Sequence, residues 1–408
     1  MIWKMKKGYY RMYQAAFRTA LKMLKYKEQS IISGEGSVGK LPLVLKDRNI
    51  DNVLIVTGKI ITSLGLLDEL IEGLKENDIK YSIFNNVQAD PIVENIEEGL
   101  KVYESNGCQG IIAFGGGSPM DCAKVIGARA TNKNLQVKDL RGYLKVKNPM
   151  PPFFAVPTTA GTGSESTIAA VVTDSTNHEK YAIGDPKLMP ECAILDPKLT
   201  IALPKHVTAA TGLDALTHAV EAFIGNDGTE FTDEYALKSI KMIFENLELV
   251  YNDGYNIDGR NNMLLASNYA GLAFTRAYVG YVHAIAHALG GLYRIPHGLA
   301  NAILLPYVLE YYGESACGKL AKIATYVGIK GSSEKELAFN IIERIKELNK
   351  KLDIPTVVKE LEEKDFDVIV HRALKEANPT YPVPKIMNKE DCVRLLKKLM
   401  NKEENLIA

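Results

Sequence analysis

The sequence predicts an α/β domain with a mostly parallel sheet over residues 1–203, followed by an all-α domain over residues 204–408. Three observations lead there. From about Leu41 to Pro197, short runs rich in Val, Ile and Phe alternate with helix-patterned stretches, as βαβ units around a parallel sheet require. After Asp196-Pro-Lys-Leu-Thr-Ile-Ala-Leu-Pro204 the strand pattern stops, and apolar residues recur at helical spacing to the end. Finally, 408 residues with 46% hydrophobic and 24% charged side chains have ordinary globular composition and length for two or three domains. Disorder, collagen and small disulfide scaffolds are excluded.

In chain order, residues 1–30 form an added basic amphipathic helix. Met1 to Lys27 carries eight basic residues (Lys4, Lys6, Lys7, Arg11, Arg18, Lys22, Lys25, Lys27) and no acidic one. Trp3, Tyr9, Tyr10, Tyr13, Phe17, Leu21 and Leu24 interleave with them. Such a helix can lie on a membrane surface, but docking on its own protein or on a second subunit is the reading adopted. Val53–Thr57, Lys80–Phe84, Gly110–Phe114 and Phe153–Val156 read as strands, and stretches near 62–77, 92–106 and 119–130 as helices. The Lys/Glu-rich stretches after Ser332 read as solvated helix faces.

Lysine plus arginine equals aspartate plus glutamate at 49 each, so no global field draws the chain to nucleic acid or an acidic membrane. A small-molecule partner is expected. Cys108, Cys122, Cys192, Cys317 and Cys392 are scattered without a Cys-x-x-Cys pair, which fits a reducing cytoplasm. No run reaches the roughly 18 apolar residues of a membrane span, and no signal peptide is expected.

Gly115-Gly-Gly-Ser-Pro-Met-Asp-Cys-Ala-Lys124 follows an apolar strand and opens a helix, with Ser118 expected as N-cap, Pro119 at N1 and Asp121 at N3. Glycines let backbone N–H groups close around a phosphate, and the helix N-terminus adds about half a positive charge there. A plain βα turn needs glycine too, but three in a row exceed what tightness requires. The loop is neither a Rossmann Gly-x-Gly-x-x-Gly nor a Walker loop. A second loop, Pro157-Thr-Thr-Ala-Gly-Thr-Gly-Ser-Glu165, also follows a strand's carboxyl end, where open α/β sheets bind ligands.

Three of the seven histidines, His283, His287 and His297, fall within fifteen residues. His283 and His287 are four apart in a helix-like run, so both rings share a face, and Asp214 and His218 repeat that spacing. Singly, each of these histidines reads as a core imidazole bonded to a carbonyl; as a set they read as metal ligands. One carboxylate with imidazoles suits Fe²⁺ or Zn²⁺ and not Mg²⁺ or Ca²⁺, which want oxygen throughout. His178, His206 and His371 have no such company.

The Gly115–Lys124 loop, the Pro157–Glu165 segment, Asp214-x-x-x-His218, and His283 through Pro296-His-Gly-Leu-Ala-Asn-Ala-Ile-Leu-Leu-Pro306 together resemble the iron-containing (group III) alcohol dehydrogenases, in order, over about residues 33–310. The resemblance implies the dehydroquinate synthase-like fold: an N-terminal dinucleotide-binding α/β domain and an all-helical domain, with the active site in the cleft between them. It implies hydride transfer between a nicotinamide cofactor and a primary alcohol or aldehyde on Fe²⁺ or Zn²⁺. Asp214, His218, His283 and His297 become the metal ligands, and His287 a proton relay beside them. Asp121 joins His287 among the catalytic candidates. Gly116, Gly117, Ser118, Thr158, Thr159, Gly161 and Thr162 hold the dinucleotide, and Lys180 matches a lysine near the cofactor ribose. A cytoplasmic homo-oligomer is expected, with the N-terminal helix as a candidate interface.

Three departures stand out. Where family members preferring NAD carry Thr-Asp-Lys after the first strand, this chain has Thr57-Gly58-Lys59. Glycine leaves room for a 2′-phosphate and Lys59 adds charge, so NADP(H) is slightly preferred over NAD(H). Asp90-Pro91 replaces the usual Asn-Pro, which puts that cofactor contact in question. Thr275-Arg-Ala-Tyr-Val-Gly-Tyr281 is bulkier than the family's small-residue stretch, so Arg276, Tyr278 and Tyr281 either shape the substrate pocket or pack between helices. The alternative readings are a glycerol dehydrogenase-like or dehydroquinate synthase-like enzyme with three protein ligands to its metal, and a non-catalytic assembly module.

Overall fold

The structure, a computed structural model, describes residues 2–22, 24, 26–175 and 179–400. His178, with Met1 and Lys25 of the basic run, lies outside the described residues, as do the side chains of Leu21 and Lys22. The strands are β1 (Ser30–Ser33), β2 (Asn52–Val56), β3 (Lys80–Phe84), β4 (Gly110–Gly115), β5 (Gly142–Tyr143), β6 (Phe153–Pro157), β7 (Ala169–Asp174), β8 (Glu179–Gly184) and β9 (Cys192–Leu195). The helices of the first half are α1 (Ile2–Lys22), α2 (Leu41–Asp47), α3 (Lys59–Ser63), α4 (Asp68–Glu76), α5 (Val93–Ser105) and α6 (Gly117–Thr131). Those of the second are α7 (Lys205–Ile224), α8 (Glu230–Asn252), α9 (Ile257–Ala277), α10 (Tyr281–Tyr293), α11 (His297–Tyr312), α12 (Cys317–Tyr326), α13 (Glu334–Lys351), α14 (Phe366–Ala377) and α15 (Lys389–Leu399).

One compact unit comprises Leu24–Leu203 with Tyr255–Gly271. Its six-stranded sheet, in the order β1-β9-β6-β4-β2-β3, is parallel throughout. The central strands divide their side chains between two cores by simple alternation. Leu54, Val56, Ile111, Ala113, Phe153 and Ala155 face one core with Ile96 of α5 and Val125 of α6. Val53, Ile55, Ile112, Phe114, Phe154 and Val156 face the other with Leu41 of α2 and Leu70 of α4. The chain leaves β2 to pair with β3 on one side and returns to β4 on the other. The loops after β2 and β4 therefore sit at the switch point where doubly wound sheets bind ligands. A smaller sheet, β5-β8-β7, is formed from strands inserted in sequence between β4 and β6 and between β6 and β9 of the large one. The sequence pattern missed β1, β9 and the β7–β8 hairpin, and the helix expected over 62–77 is split into α3 and α4, with Gly65 between them at φ 68°.

The other unit comprises α1, Pro204–Gly254 and the chain from Leu272 on. The expected division gave residues 1–30 to the α/β part; instead α1 groups with the helical residues, and Ser30 already begins β1. The cause is a set of specific bonds. Arg11 donates to the carbonyls of Val383 and Pro384 at 2.7 and 2.8 Å, Gln14 to Tyr381 O at 2.7 Å, and Arg18 to Asn226 O at 2.9 Å. Conversely Tyr255–Gly271 groups with the α/β residues, where Ser166 Oγ donates to Asn268 O and Gly163 lies against Ser267 and Gly271. Among the described residues no helix is long and apolar enough to cross a membrane.

Candidate functional site

Asp214, His218, His283 and His297 each offer one ligand atom, all within 4.8 Å of one another. The i, i+4 spacing puts Asp214 and His218 on one face of α7; His283 comes from α10 and His297 from the first position of α11. His297 Nε2 lies 3.5 Å from Asp214 Oδ1, and the His218 and His283 ring centres are 4.4 Å apart. Phe274 stacks on His218 at 4.2 Å. Gly298 permits the approach of α11: a Cβ there would meet Ala210 O at 2.3 Å and Asp214 Cβ at 3.2 Å.

Buried Glu221 orients His283. Its Oε2 accepts from His283 Nδ1 at 2.6 Å, and its two oxygens also accept from the Gly280 and Val282 N–H groups at 2.8 Å. Burial raises the Glu221 carboxyl to about 7, while those N–H donors favour the carboxylate. Burial, then the neighbouring His218, His297 and His287 rings, push His283 well below its ordinary value, so the ring is neutral. With its proton on Nδ1, its other nitrogen, Nε2, is buried without a hydrogen-bond partner and carries a lone pair toward the cluster. Such an orphaned acceptor beside a carboxylate and two further imidazoles fits a divalent metal ion. Asn301, one turn beyond His297, donates to Asp214 Oδ1 at 2.7 Å.

His287 stacks on His297 with ring centres 5.0 Å apart. Its Nδ1 lies 2.7 Å from Glu376 Oε1, which also accepts from Tyr381 OH at 2.8 Å. The sequence reading missed Glu221, Glu376, Tyr381 and Asn301. Glu221 and Asn301 had a usable signal, since Asp214, His218 and Glu221 share a face at i, i+4 and i+7, and Asn301 lies at i+4 from His297.

The glycine loop differs from expectation in its cap. Gly116, extended at φ −82°, is the N-cap, so Ser118 and Pro119 are already inside the helix. Ser118 Oγ accepts from the Asp90 N–H at 3.3 Å instead of capping α6. No side chain caps this N-terminus, which leaves its first amides to an outside acceptor. The second loop closes over it: a Cβ on Gly117 would meet Thr162 Cγ2 at 3.0 Å, one on Gly116 would meet Thr159 Oγ1 at 3.3 Å, and Thr158 N–H donates to Gly115 O. The two loops therefore pack closely enough that positions 116 and 117 leave little room for a side chain. Gly161 is buried within the same turn. Gly58 caps α3, and Lys59 is exposed in its first turn.

Asp121 takes the middle of a polar brace. Its Oδ1 accepts from Ser164 Oγ at 2.9 Å and its Oδ2 from Val171 N–H at 3.0 Å. Beside it, fully buried Lys124 donates to Ser164 O, Thr167 Oγ1 and Ala169 O at 2.7 to 2.8 Å. Burial lowers Lys124 to about 8 and raises Glu165 to about 7. The bulky residues ahead of His283 pack between helices. Tyr281 is buried with its hydroxyl between Asn378 Oδ1 and Met387 N, Arg276 lies over the Phe231 ring, and Tyr278, at φ 65°, meets the Phe17 ring.

An uncapped glycine-rich helix start at the switch point and a cluster of four side chains able to hold a metal ion are parts that a metal-dependent oxidoreductase needs. A model of the iron-containing alcohol dehydrogenases matches residues 28–197, and a model of the C-terminal part of the Fe-containing alcohol dehydrogenase family matches residues 208–400. The chain belongs to the iron-containing alcohol dehydrogenase family and is an alcohol dehydrogenase. It is 38% identical over 357 residues to alcohol dehydrogenase 4 of Schizosaccharomyces pombe, covering 86% of this chain and 83% of the relative. It is 41% identical over 331 residues to the 1,3-propanediol dehydrogenase of Klebsiella pneumoniae, covering 80% and 85%. A crystal structure of 1,3-propanediol oxidoreductase superposes with a TM-score of 0.89 at 36% identity, covering 92% of this chain and 100% of that one.

Proposed function

We propose that the chain reduces small aldehydes and oxidises the corresponding primary alcohols with NADP(H) in preference to NAD(H), using Fe²⁺ or Zn²⁺ held by Asp214, His218, His283 and His297. The observation that carries the metal assignment is His283, whose Nδ1 proton is fixed on Glu221 while Nε2 is buried without a partner among three other donor groups. A fourth donor within 4.8 Å of the rest argues against the three-ligand relatives. A divalent ion held by these four side chains would supply positive charge to the substrate oxygen. A nicotinamide dinucleotide held at the start of α6 would supply the hydride acceptor or donor.

The chain's own residues do the rest. Glu221 and Asn301 hold His283 and Asp214 in place, while Glu376 fixes the orientation of His287, which supports His287 as a proton carrier. The first amides of α6, with Ser118, Thr158, Thr159, Gly161 and Thr162, bind the dinucleotide phosphates and neighbouring hydroxyls. Asp121 has both oxygens engaged by protein donors, which supports a role in holding the second loop against α6 rather than in proton transfer. The preference for NADP(H) rests on Gly58, which sets no carboxylate against a 2′-phosphate, and on exposed Lys59 beside it. Its five free cysteines suit a cytoplasmic setting. A homo-oligomer is part of the same reading, supported by Met5, Tyr9 and Met12, which α1 leaves exposed.

The test is reduction of an aldehyde panel with NADPH or NADH by protein stripped with chelator and reloaded anaerobically with Fe²⁺ or Zn²⁺. Metal-dependent NADPH oxidation is the expected result. Turnover with NADH alone removes the cofactor preference and leaves the enzyme; no turnover with metal bound removes the activity.

A further inference from the structure

Two prolines shape the stretch after α14. Pro382 and Pro384 carry no N–H, so Tyr381–Pro384 cannot pair as a strand along its length, and most donors to its carbonyls come from elsewhere. Asn226, two residues past the end of α7, serves two of them: its N–H donates to Pro382 O at 2.7 Å and its Nδ2 to Val383 O at 3.0 Å. Others come from α1. Arg11 reaches Val383 O and Pro384 O with two nitrogens, and Gln14 Nε2 donates to Tyr381 O at 2.7 Å. Arg11 also donates to Gln14 Oε1 at 2.9 Å, which braces the amide. Gln14 is 4% exposed although most of α1 faces solvent; burying an amide is costly unless both of its ends are bonded, and here both are.

The residue anchored in this way is the one that reaches the candidate site. Tyr381 OH donates to Glu376 Oε1 at 2.8 Å, and the same oxygen lies 2.7 Å from His287 Nδ1. Gln14, Tyr381, Glu376 and His287 therefore form one connected series, from the first helix of the chain to the histidine beside the metal cluster. Helix α1 lies outside residues 28–197 and 208–400, which the family models match, whereas the other three residues lie inside. We propose that α1 is a positioning element for proton transfer: Gln14, braced by Arg11, seats Tyr381 so that its hydroxyl holds Glu376, and Glu376 holds His287 in the orientation from which it carries a proton. Gln14 and Tyr381 are thus positioning residues acting through Glu376. The inference rests on the reading of His287 as the proton carrier.

Propanal reduction by the metal-loaded full chain, with NADPH and NADH in parallel, tests this when metal content and cofactor affinity are measured alongside. Gln14→Met keeps the length and removes the amide; Tyr381→Phe removes only the hydroxyl. Each is expected to lower kcat roughly three- to tenfold, with KM, cofactor affinity and metal content within about twofold of wild type. Gln14→Met/Tyr381→Phe is expected to be no slower than Tyr381→Phe, and neither change slows His287→Ala further, a coupling that double-mutant cycles read directly. Gln14→Glu keeps an acceptor for Arg11 but has no donor for Tyr381 O, and it replaces Gln14→Met if that variant does not fold. Hydrogen exchange of the metal-free chain gives a readout without turnover: the Tyr381 and Val383 amides, bonded to Ala377 O and Tyr381 O, are expected to exchange about tenfold faster in Gln14→Met. The inference is overturned if Gln14→Met matches wild type in turnover or exchange while His287→Ala is slow. It is equally overturned if the loss in Gln14→Met follows metal content or persists undiminished in the His287→Ala background, which makes α1 a general brace. His287→Ala as fast as wild type overturns the proton-carrier reading instead.

Discussion

Glu221 Oε2 accepts the Nδ1 proton of His283 at 2.6 Å, and this one bond decides which nitrogen of His283 is left to the cluster with Asp214, His218 and His297. Glu221 is itself fixed by the Gly280 and Val282 N–H groups, so the start of α10 and the side chain of its third residue are set together. Glu221→Gln keeps the size but can donate as well as accept, which removes the preference for one tautomer. Metal affinity is expected to fall by roughly 10- to 100-fold, the usual effect of losing a partner behind a ligating histidine. Competition with a chromogenic chelator measures it, and an unchanged affinity would detach Glu221 from the metal site.

The two kinds of histidine in the cluster should separate experimentally. His283→Ala and His297→Ala each remove a donor from a set spanning 4.8 Å and are expected to lose metal and activity together. His287→Ala, whose Nδ1 is turned to Glu376, is expected to retain metal and lose roughly 100-fold in rate. Metal content by mass spectrometry alongside turnover checks both. Full activity of metal-free His283→Ala would sink the ligand assignment.

Gly298 offers a test through packing rather than chemistry. Its missing Cβ lets α11 approach α7 at Ala210 O, and the added methyl of Gly298→Ala would sit 2.3 Å from that carbonyl. Backbone has to shift, at a cost of about 1–3 kcal/mol, and the shift separates His297 from Asp214. A lowered unfolding midpoint with reduced metal occupancy is expected; wild-type metal affinity would show that the helices are not held at contact distance.

What was legible in the sequence follows from which interactions are local. His218 and Asp214 share a helical face by spacing alone, and β2, β4 and β6 announce themselves as buried apolar runs. His297 was legible only through the crowding of histidines, because its meeting with Asp214 depends on how α11 packs on α7. Glu376 and Tyr381 carry no local signal: Glu376 reaches His287 from 89 residues along the chain, and Tyr381 bonds Glu376. Strand β1 was missed because it is an edge, four residues long and mostly exposed, without the run that marks a central strand. The cap of α6 was misplaced for a different reason. Ser118 has the side chain of an N-cap, but its hydroxyl is taken by Asp90, and Gly116 can begin the helix without one.

Cofactor choice can be moved at Gly58. Its backbone is extended, at φ −109°, and a Cβ there would meet only Val87 O at 3.9 Å, so a larger residue fits without strain. On the proposed reading Gly58→Asp sets a carboxylate against the 2′-phosphate, and the ratio of kcat/KM for NADPH to that for NADH is expected to fall by about tenfold or more. Equal ratios in the two proteins would remove Gly58 from cofactor selection.

Glu165 makes stability depend on pH. It is 1% exposed, and burial raises its carboxyl from an ordinary 4.5 to about 7, although nearby Lys124 favours the charged form. A raised carboxyl contributes stability that is complete below about 4.5 and is lost as pH rises through about 7, because the folded chain must then bury the charge. The difference amounts to at most about 3 kcal/mol. Glu165→Gln carries no charge at any pH and escapes that loss. Its unfolding midpoint is expected to exceed that of wild type at pH 7.5 and to match it or fall below it at pH 5. The same offset at both values would mean that Glu165 keeps one protonation state across the range.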